Sequence, residues 1–169
     1  MYDPDEDSYL IGEQLKKFHD LNVLDLGTGS GFLAEISIKN NCKVLAADIN
    51  KKAVEYCNKK GIKAIYSNLF SNISEKFDLI VFNPPYLPLD ENEQKDSRVI
   101  TTAGKKGHEI IEKFLKQAKG HLNKKGKILI LFSSLSGDIP YLFEKYRYKH
   151  KKLSEKKLFF ESIYVYLIE

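Results

Sequence analysis

The hydrophobic positions of this chain fall into short, nearly continuous runs separated by stretches with helical spacing. Residues 23–26, 44–47, 63–67, 78–82 and 127–132 are the runs. Runs of this kind suit strands covered on both faces of a parallel sheet. Between them, residues 32–40, 50–60 and 108–122 repeat apolar side chains at helical intervals, as in Ile110, Ile111, Phe114, Leu115, Ala118 and Leu122, which predicts amphipathic helices. Strand and helix in alternation imply right-handed β-α-β units and one doubly wound α/β sheet. A further helix is expected near residues 139–146. Two last strands at about 148–153 and 159–168 could form an antiparallel edge.

An N-terminal helix is predicted from the spacing of Tyr9, Leu10, Ile11, Leu15 and Phe18. Asp7 or Ser8 is placed to cap its first turn. Residues 87–102 are polar, acidic and without period, and read as a long loop of the sort that is often functional. With 169 residues, 43% of them hydrophobic, the chain is sized for a single domain spanning residues 1–169. No apolar run approaches the roughly 20 residues needed to cross a bilayer, and the acidic start is unlike a secretion signal. A cytoplasmic protein is therefore expected. Cys42 and Cys57 have neither a paired spacing nor nearby histidines, so they are expected as reduced, buried thiols, and no metal site is expected.

Charge changes this picture in one respect. Residues 1–100 carry 12 basic and 16 acidic side chains, whereas 101–169 carry 15 and 7. Seven of those basic residues lie in 145–157, beside Tyr146, Tyr148 and His150. The segment could meet nucleic acid, or it could simply keep the surface soluble.

The candidate chemistry sits at the ends of the strands. Asp25-Leu26-Gly27-Thr28-Gly29-Ser30-Gly31 joins a strand to a helix, where glycines allow a ligand to approach the backbone. The loop lacks the third glycine of a dinucleotide fingerprint, because position 32 is phenylalanine, and no G-K-[ST] phosphate loop occurs. Asp48 closes the second strand, placed to accept from ribose hydroxyls. Asn68, followed by Leu69, ends the third, with an amide able to pair with an adenine edge. Together they suggest a nucleoside-type site.

Asn83-Pro84-Pro85-Tyr86 ends the fourth strand. Its side-chain and backbone carbonyls, held rigid by the prolines, could cradle both N–H groups of a planar nitrogen. Such a nitrogen has a delocalised lone pair and no accessible deprotonation at neutral pH, so alignment toward an electrophile is what the site must supply. Tyr86 would pack over the planar group.

At this point the chain resembles the class I S-adenosylmethionine-dependent methyltransferases. Tyr2-x-Pro4-x-Glu6-Asp7-Ser8 and Thr102-Ala103-Gly104-Lys105-Lys106-Gly107-x-Glu109 narrow the resemblance to HemK-like protein-(glutamine-N5) methyltransferases of the short archaeal and eukaryotic type. The resemblance implies a seven-stranded sheet with its last strand antiparallel. It also implies methylation of the glutamine in the Gly-Gly-Gln loop of a class I release factor, with S-adenosyl-L-methionine as donor. Ser8, Asp25, Gly27, Thr28, Gly29 and Gly31 would then face the methionine part of the cofactor. Asp48 would hold the ribose, Asn68 and Leu69 the adenine, and Asn83 with Pro84 the target amide. Relatives usually carry aspartate where this chain has Asn68, which implies weaker cofactor binding. A small zinc-binding activator would dock on the edge strand 63–67. The competing readings are a DNA or RNA base methyltransferase and a catalytically silent cofactor-binding subunit.

Overall fold

The computed structural model describes residues 5–85 and 108–169. The expected loop at 87–102, most of the Thr102 motif, Tyr2, Pro4 and Tyr86 lie outside them. The elements are α1 (Glu6–Leu15), β1 (Asn22–Leu26), α2 (Phe32–Lys39), β2 (Lys43–Asp48), α3 (Lys51–Lys59), β3 (Ala64–Tyr66), β4 (Phe77–Phe82), α4 (Glu109–Ala118), β5 (Leu122–Ser133), α5 (Ile139–Lys145), β6 (His150–Lys157) and β7 (Ser162–Ile168).

The strands form one seven-stranded sheet in the order β3-β2-β1-β4-β5-β7-β6. β1 pairs in parallel with β2 and β4, β2 with β3, and β4 with β5. β7 is antiparallel to both neighbours. The chain winds outward from β1 to β3 and then returns to place β4 on the other side of β1. The crevice at that reversal, outside the carboxyl ends of the strands, is where open α/β sheets take their ligands.

Strand periodicity divides the core in two. Leu24, Ile80, Phe82, Ile128 and Ile130 point to one face and pack with Ile111, Phe114 and Leu115 of α4 and Leu142 and Phe143 of α5. Val23, Leu79, Val81, Leu129 and Leu131 point to the other, against Ile11 and Leu15 of α1 and Leu33 of α2. Ala46 and Ala64 continue that second face under Ala34 of α2 and Cys57 of α3. Alternate residues of each central strand thus meet helices on both sides, which explains why the strands read as continuous apolar runs. Both cysteines are buried free thiols. Among the described residues no helix is long and apolar enough to cross a membrane.

Four expectations need correction. The N-cap of α1 is Asp5, whose side chain accepts from the Glu6 amide at 2.7 Å. Asp7 and Ser8 instead lie buried within the first turn. α4 stops at Ala118 and a 3₁₀ turn over Lys119–His121 leads into β5, so Leu122 belongs to the strand and not the helix. β5 also starts five residues before the expected Lys127. Lys125 takes φ 68°, and a Cβ on Gly126 would sit 2.8 Å from the Phe77 carbonyl oxygen. Glycine is needed there for the close approach of β5 to β4, where the pairing register shifts. Finally, Phe159 and Phe160 are not in a strand. β6 continues to Lys157 and β7 begins at Ser162, with a turn between them closed by the Leu158 amide donating to the Glu161 carbonyl at 2.8 Å.

Candidate active site

A cleft of 680 Å³ opens at the carboxyl ends of β1, β2 and β4 and is bordered by the start of α1. Its floor is built by the glycine loop. Gly27, Gly29 and Gly31 have φ of 71°, 53° and 82°, a left-handed series that other residues adopt only at a cost. The loop is tied to β2 by the Gly27 and Thr28 amides, which both donate to the Ala47 carbonyl at 2.8 and 3.1 Å. A Cβ added to Gly29 would meet no atom within 4 Å among the described residues, so the loop presents open backbone to the cleft. Gly31 faces inward, and a Cβ there would lie 2.8 Å from Ile62 Cδ1 and 3.1 Å from Cys57 Sγ.

Asp25 supports this loop from beneath. Its side chain is 1% exposed, and Oδ2 accepts from Thr28 Oγ1 at 2.6 Å and from the Ala34 amide at 3.1 Å. Burial pushes its carboxyl up to about 6, with the Thr28 hydrogen bond opposing and the Asp48 charge adding to the rise. Asp25 and Gly31 therefore lie below the cleft wall, whereas Gly27, Thr28 and Gly29 form part of that wall.

Asp48 stands at the end of β2 and lines the cleft. Its Oδ2 accepts from the Gly29 amide at 2.9 Å and its Oδ1 from the Asn50 amide at 2.7 Å. Each carboxylate oxygen keeps a second lone pair, so the residue can hold the loop and still accept from a ligand hydroxyl. Asn68 and Leu69 reach the cleft from the end of β3. Leu69 has φ 51°, a left-handed setting that is uncommon for leucine. Ser67 holds it there, donating its hydroxyl to the Leu69 carbonyl at 2.7 Å while accepting from the Asn72 amide at 3.1 Å.

On the opposite wall, Asn83 follows β4 directly. Its Nδ2 donates to Asp7 Oδ2 at 3.1 Å, and a second Asp7 oxygen accepts from the Ser8 amide at 2.6 Å. This fixes the Asn83 amide with its nitrogen toward α1. The Oδ1 is buried and, among the described residues, has no hydrogen-bond partner. A buried acceptor left without a donor costs about 1–3 kcal/mol, which a ligand N–H would recover. Pro84, Pro85 and Ser8 also line the cleft, and Phe82 forms its inner edge, stacked on Phe114 at 4.4 Å between ring centroids. Sequence reasoning weighed Asp7 only as a cap or a motif position, missed its contact with Asn83, and did not single out Ser67 or Glu161. Among the described residues no group of His, Cys, Asp and Glu side chains could hold a metal ion.

Glycine backbone open to a ligand, a strand-end carboxylate and an unpaired amide oxygen together suit a nucleoside-bearing donor meeting a planar N–H acceptor. The sequence profile of the Methyltransferase small domain family matches residues 2–159. The chain belongs to that family. Among its methyltransferase relatives, a Methanocaldococcus jannaschii protein assigned as a protein N5-glutamine methyltransferase is 37% identical over 147 residues, covering 82% of this chain and 75% of the relative. The release factor glutamine methyltransferase of Lactococcus lactis is 36% identical over 126 residues, covering 65% of this chain and 46% of that enzyme. This methyltransferase thus spans about half the length of that bacterial relative. A chain from the structure of the E. cuniculi Mtq2–Trm112 complex, responsible for methylation of the eRF1 translation termination factor, superposes with a TM-score of 0.81 at 26% identity. The match covers 99% of this chain and 97% of the other.

Proposed function

We propose that this methyltransferase transfers a methyl group from S-adenosylmethionine to the side-chain amide of the glutamine in the Gly-Gly-Gln loop of a class I release factor. The observation that carries the reading is Asn83: it lines the cleft, its nitrogen is held by Asp7, and its buried Oδ1 has no hydrogen-bond partner among the described residues. The relatives named for N5-glutamine methylation and for release factors support the same acceptor.

S-adenosylmethionine supplies an electrophilic methyl on a positively charged sulfur. Gly27, Thr28 and Gly29 would receive its amino-acid end, Asp48 its ribose hydroxyls, and Asn68 with Leu69 its adenine. Asn83 Oδ1 and the Pro84 carbonyl would accept the two N–H groups of the target amide. Holding both fixes the plane of the amide, so that the nitrogen lone pair perpendicular to it can be aligned with the methyl group, and rate comes from alignment and not from a base. As the target nitrogen took up the methyl group its N–H groups would become more acidic, and the Asn83 and Pro84 carbonyls would hold them more strongly. That is preferential stabilisation of the transition state. The surplus proton then leaves to solvent.

A small activator protein would pair with β3, which ends the strand order among the described residues and where Tyr66 is exposed and Ile65 half-buried. A strand at the end of a sheet calls for a partner or a cover. The partnered E. cuniculi assembly supports this reading; that the activator binds zinc is part of the proposal. Labelled S-adenosylmethionine incubated with the enzyme, its activator and purified release factor should label the wild-type factor and not its Gln-to-Ala variant. Equal labelling of both would sink the proposal.

A further inference from the structure

The turn between β6 and β7 carries an apolar surface that neither the core nor the cleft uses. Phe159 is 92% and Phe160 84% exposed, and their rings meet edge to face with centroids 4.6 Å apart. Phenylalanines are usually buried, and two adjacent ones presented to solvent mark an interaction site more often than a packing accident.

Topology puts this turn on the rim of the cleft. Ile163, near the start of β7, pairs with Ser133 at the carboxyl end of β5, and Lys157 pairs with Ser162. The turn therefore projects at the same edge of the sheet as the glycine loop and Asn83. Leu158 and Glu161, which flank the two phenylalanines, themselves line the cleft. The turn is also anchored. The Ser133 hydroxyl donates to the Glu161 carboxylate, and the Ser162 amide donates to Ser134 Oγ at 3.0 Å. β6 behind it presents Lys151 and Lys157 on the outer edge of the sheet, beside Lys152 and Lys156, which pair with Glu155 at 2.8 Å and Glu6 at 3.0 Å.

We propose that Phe159 and Phe160 are the anchor by which the folded acceptor protein docks beside the cleft while its glutamine loop enters it. The inference rests on the proposed function and deepens it. A folded substrate whose side-chain amide reaches Asn83 must lie across this rim, and the phenylalanine pair is continuous with the cleft wall it would cross. The matching surface on the substrate is an apolar depression bordered by acidic side chains, which complement the lysines of β6. Aromatic rings beside lysines could also stack nucleic-acid bases. Asp5 and Glu161, which line the adjoining cleft, put negative charge beside the rings and argue against a phosphate backbone there.

The test is steady-state methylation of purified release factor by the activator-bound enzyme carrying Phe159→Ser with Phe160→Ser. Truncating central aromatic anchors typically weakens association by on the order of tenfold or more. The expected result is a rise of that size in KM for release factor, with kcat and the affinity for S-adenosylhomocysteine each within about twofold of wild type; Phe160→Leu alone should recover part of the loss. An unchanged KM would overturn the proposal. So would a loss confined to kcat or to cofactor affinity, a wild-type self-association that the double variant abolishes, or an RNA affinity lost without any change in KM. If the wild-type enzyme labels no release factor at all, the proposed function falls first and this docking surface with it.

Discussion

Replacing Asp25 with asparagine should make the protein more stable at neutral pH. The carboxyl is nearly inaccessible to solvent, and burial raises it from 3.8 to about 6. The folded state therefore holds its proton more tightly than the unfolded chain does. The stability this contributes is fully present below about 3.8 and is lost as pH rises to about 6, because above that the carboxylate must sit ionised in a dry site. Two pH units at about 1.4 kcal/mol each amount to ~3 kcal/mol lost by neutral pH. An asparagine oxygen in the place of Oδ2 could still accept from Thr28 Oγ1 and the Ala34 amide, so the variant keeps the loop's hydrogen bonds and sheds the buried charge. Scanning calorimetry from pH 4 to pH 8 is the assay. The variant's Tm should match wild type near pH 4 and exceed it at pH 8 by about 6–12 °C, using the usual conversion for a chain of this size. A Tm difference that stays constant across this range, or a variant less stable than wild type at pH 8, would refute the reasoning.

Three further substitutions probe the rest of the site. Asp7→Asn should lower kcat by on the order of tenfold, because an amide at that position can turn its own N–H₂ toward Asn83 and release the orientation of Oδ1; calorimetric titration with S-adenosylhomocysteine should show affinity within a few-fold of wild type. Asp48→Asn leaves one of the Gly29 and Asn50 amides facing a donor, a penalty of about 1–3 kcal/mol, so the same titration should read a loss of roughly ten- to a hundredfold. Gly31→Ala places a Cβ against Ile62 and Cys57 in a left-handed backbone, and its urea midpoint should fall by the equivalent of at least about 1–2 kcal/mol.

The order of strands and helices was legible in the sequence because the central strands are buried on both faces, which leaves a local signature of continuous apolar residues. Asp48, Asn68, Leu69, Asn83, Pro84 and Pro85 were also recognisable as strand ends, and they do line one cleft. What sequence could not show depends on contacts across the fold. Asp7 meets Asn83 from 76 residues away, and locally it is only one of several helix-capping candidates, of which Asp5 takes the role. Asp25 reads as a loop acid, and only the packing of α2 above it makes it a buried support. Phe159-Phe160 reads as the start of a strand by composition, yet the pairing of Lys157 with Ser162 turns the chain before those rings can be buried.

Tandem mass spectrometry of release factor after incubation with activator-bound enzyme and S-adenosylmethionine tests the central claim most directly. Wild-type enzyme should leave one methyl group on the side-chain nitrogen of the Gly-Gly-Gln glutamine, and Asn83→Ala, which removes the orphaned acceptor, should leave that glutamine unmodified while still binding S-adenosylhomocysteine. A methyl group on another residue, or an Asn83→Ala enzyme that modifies the glutamine at the wild-type rate, would contradict the account.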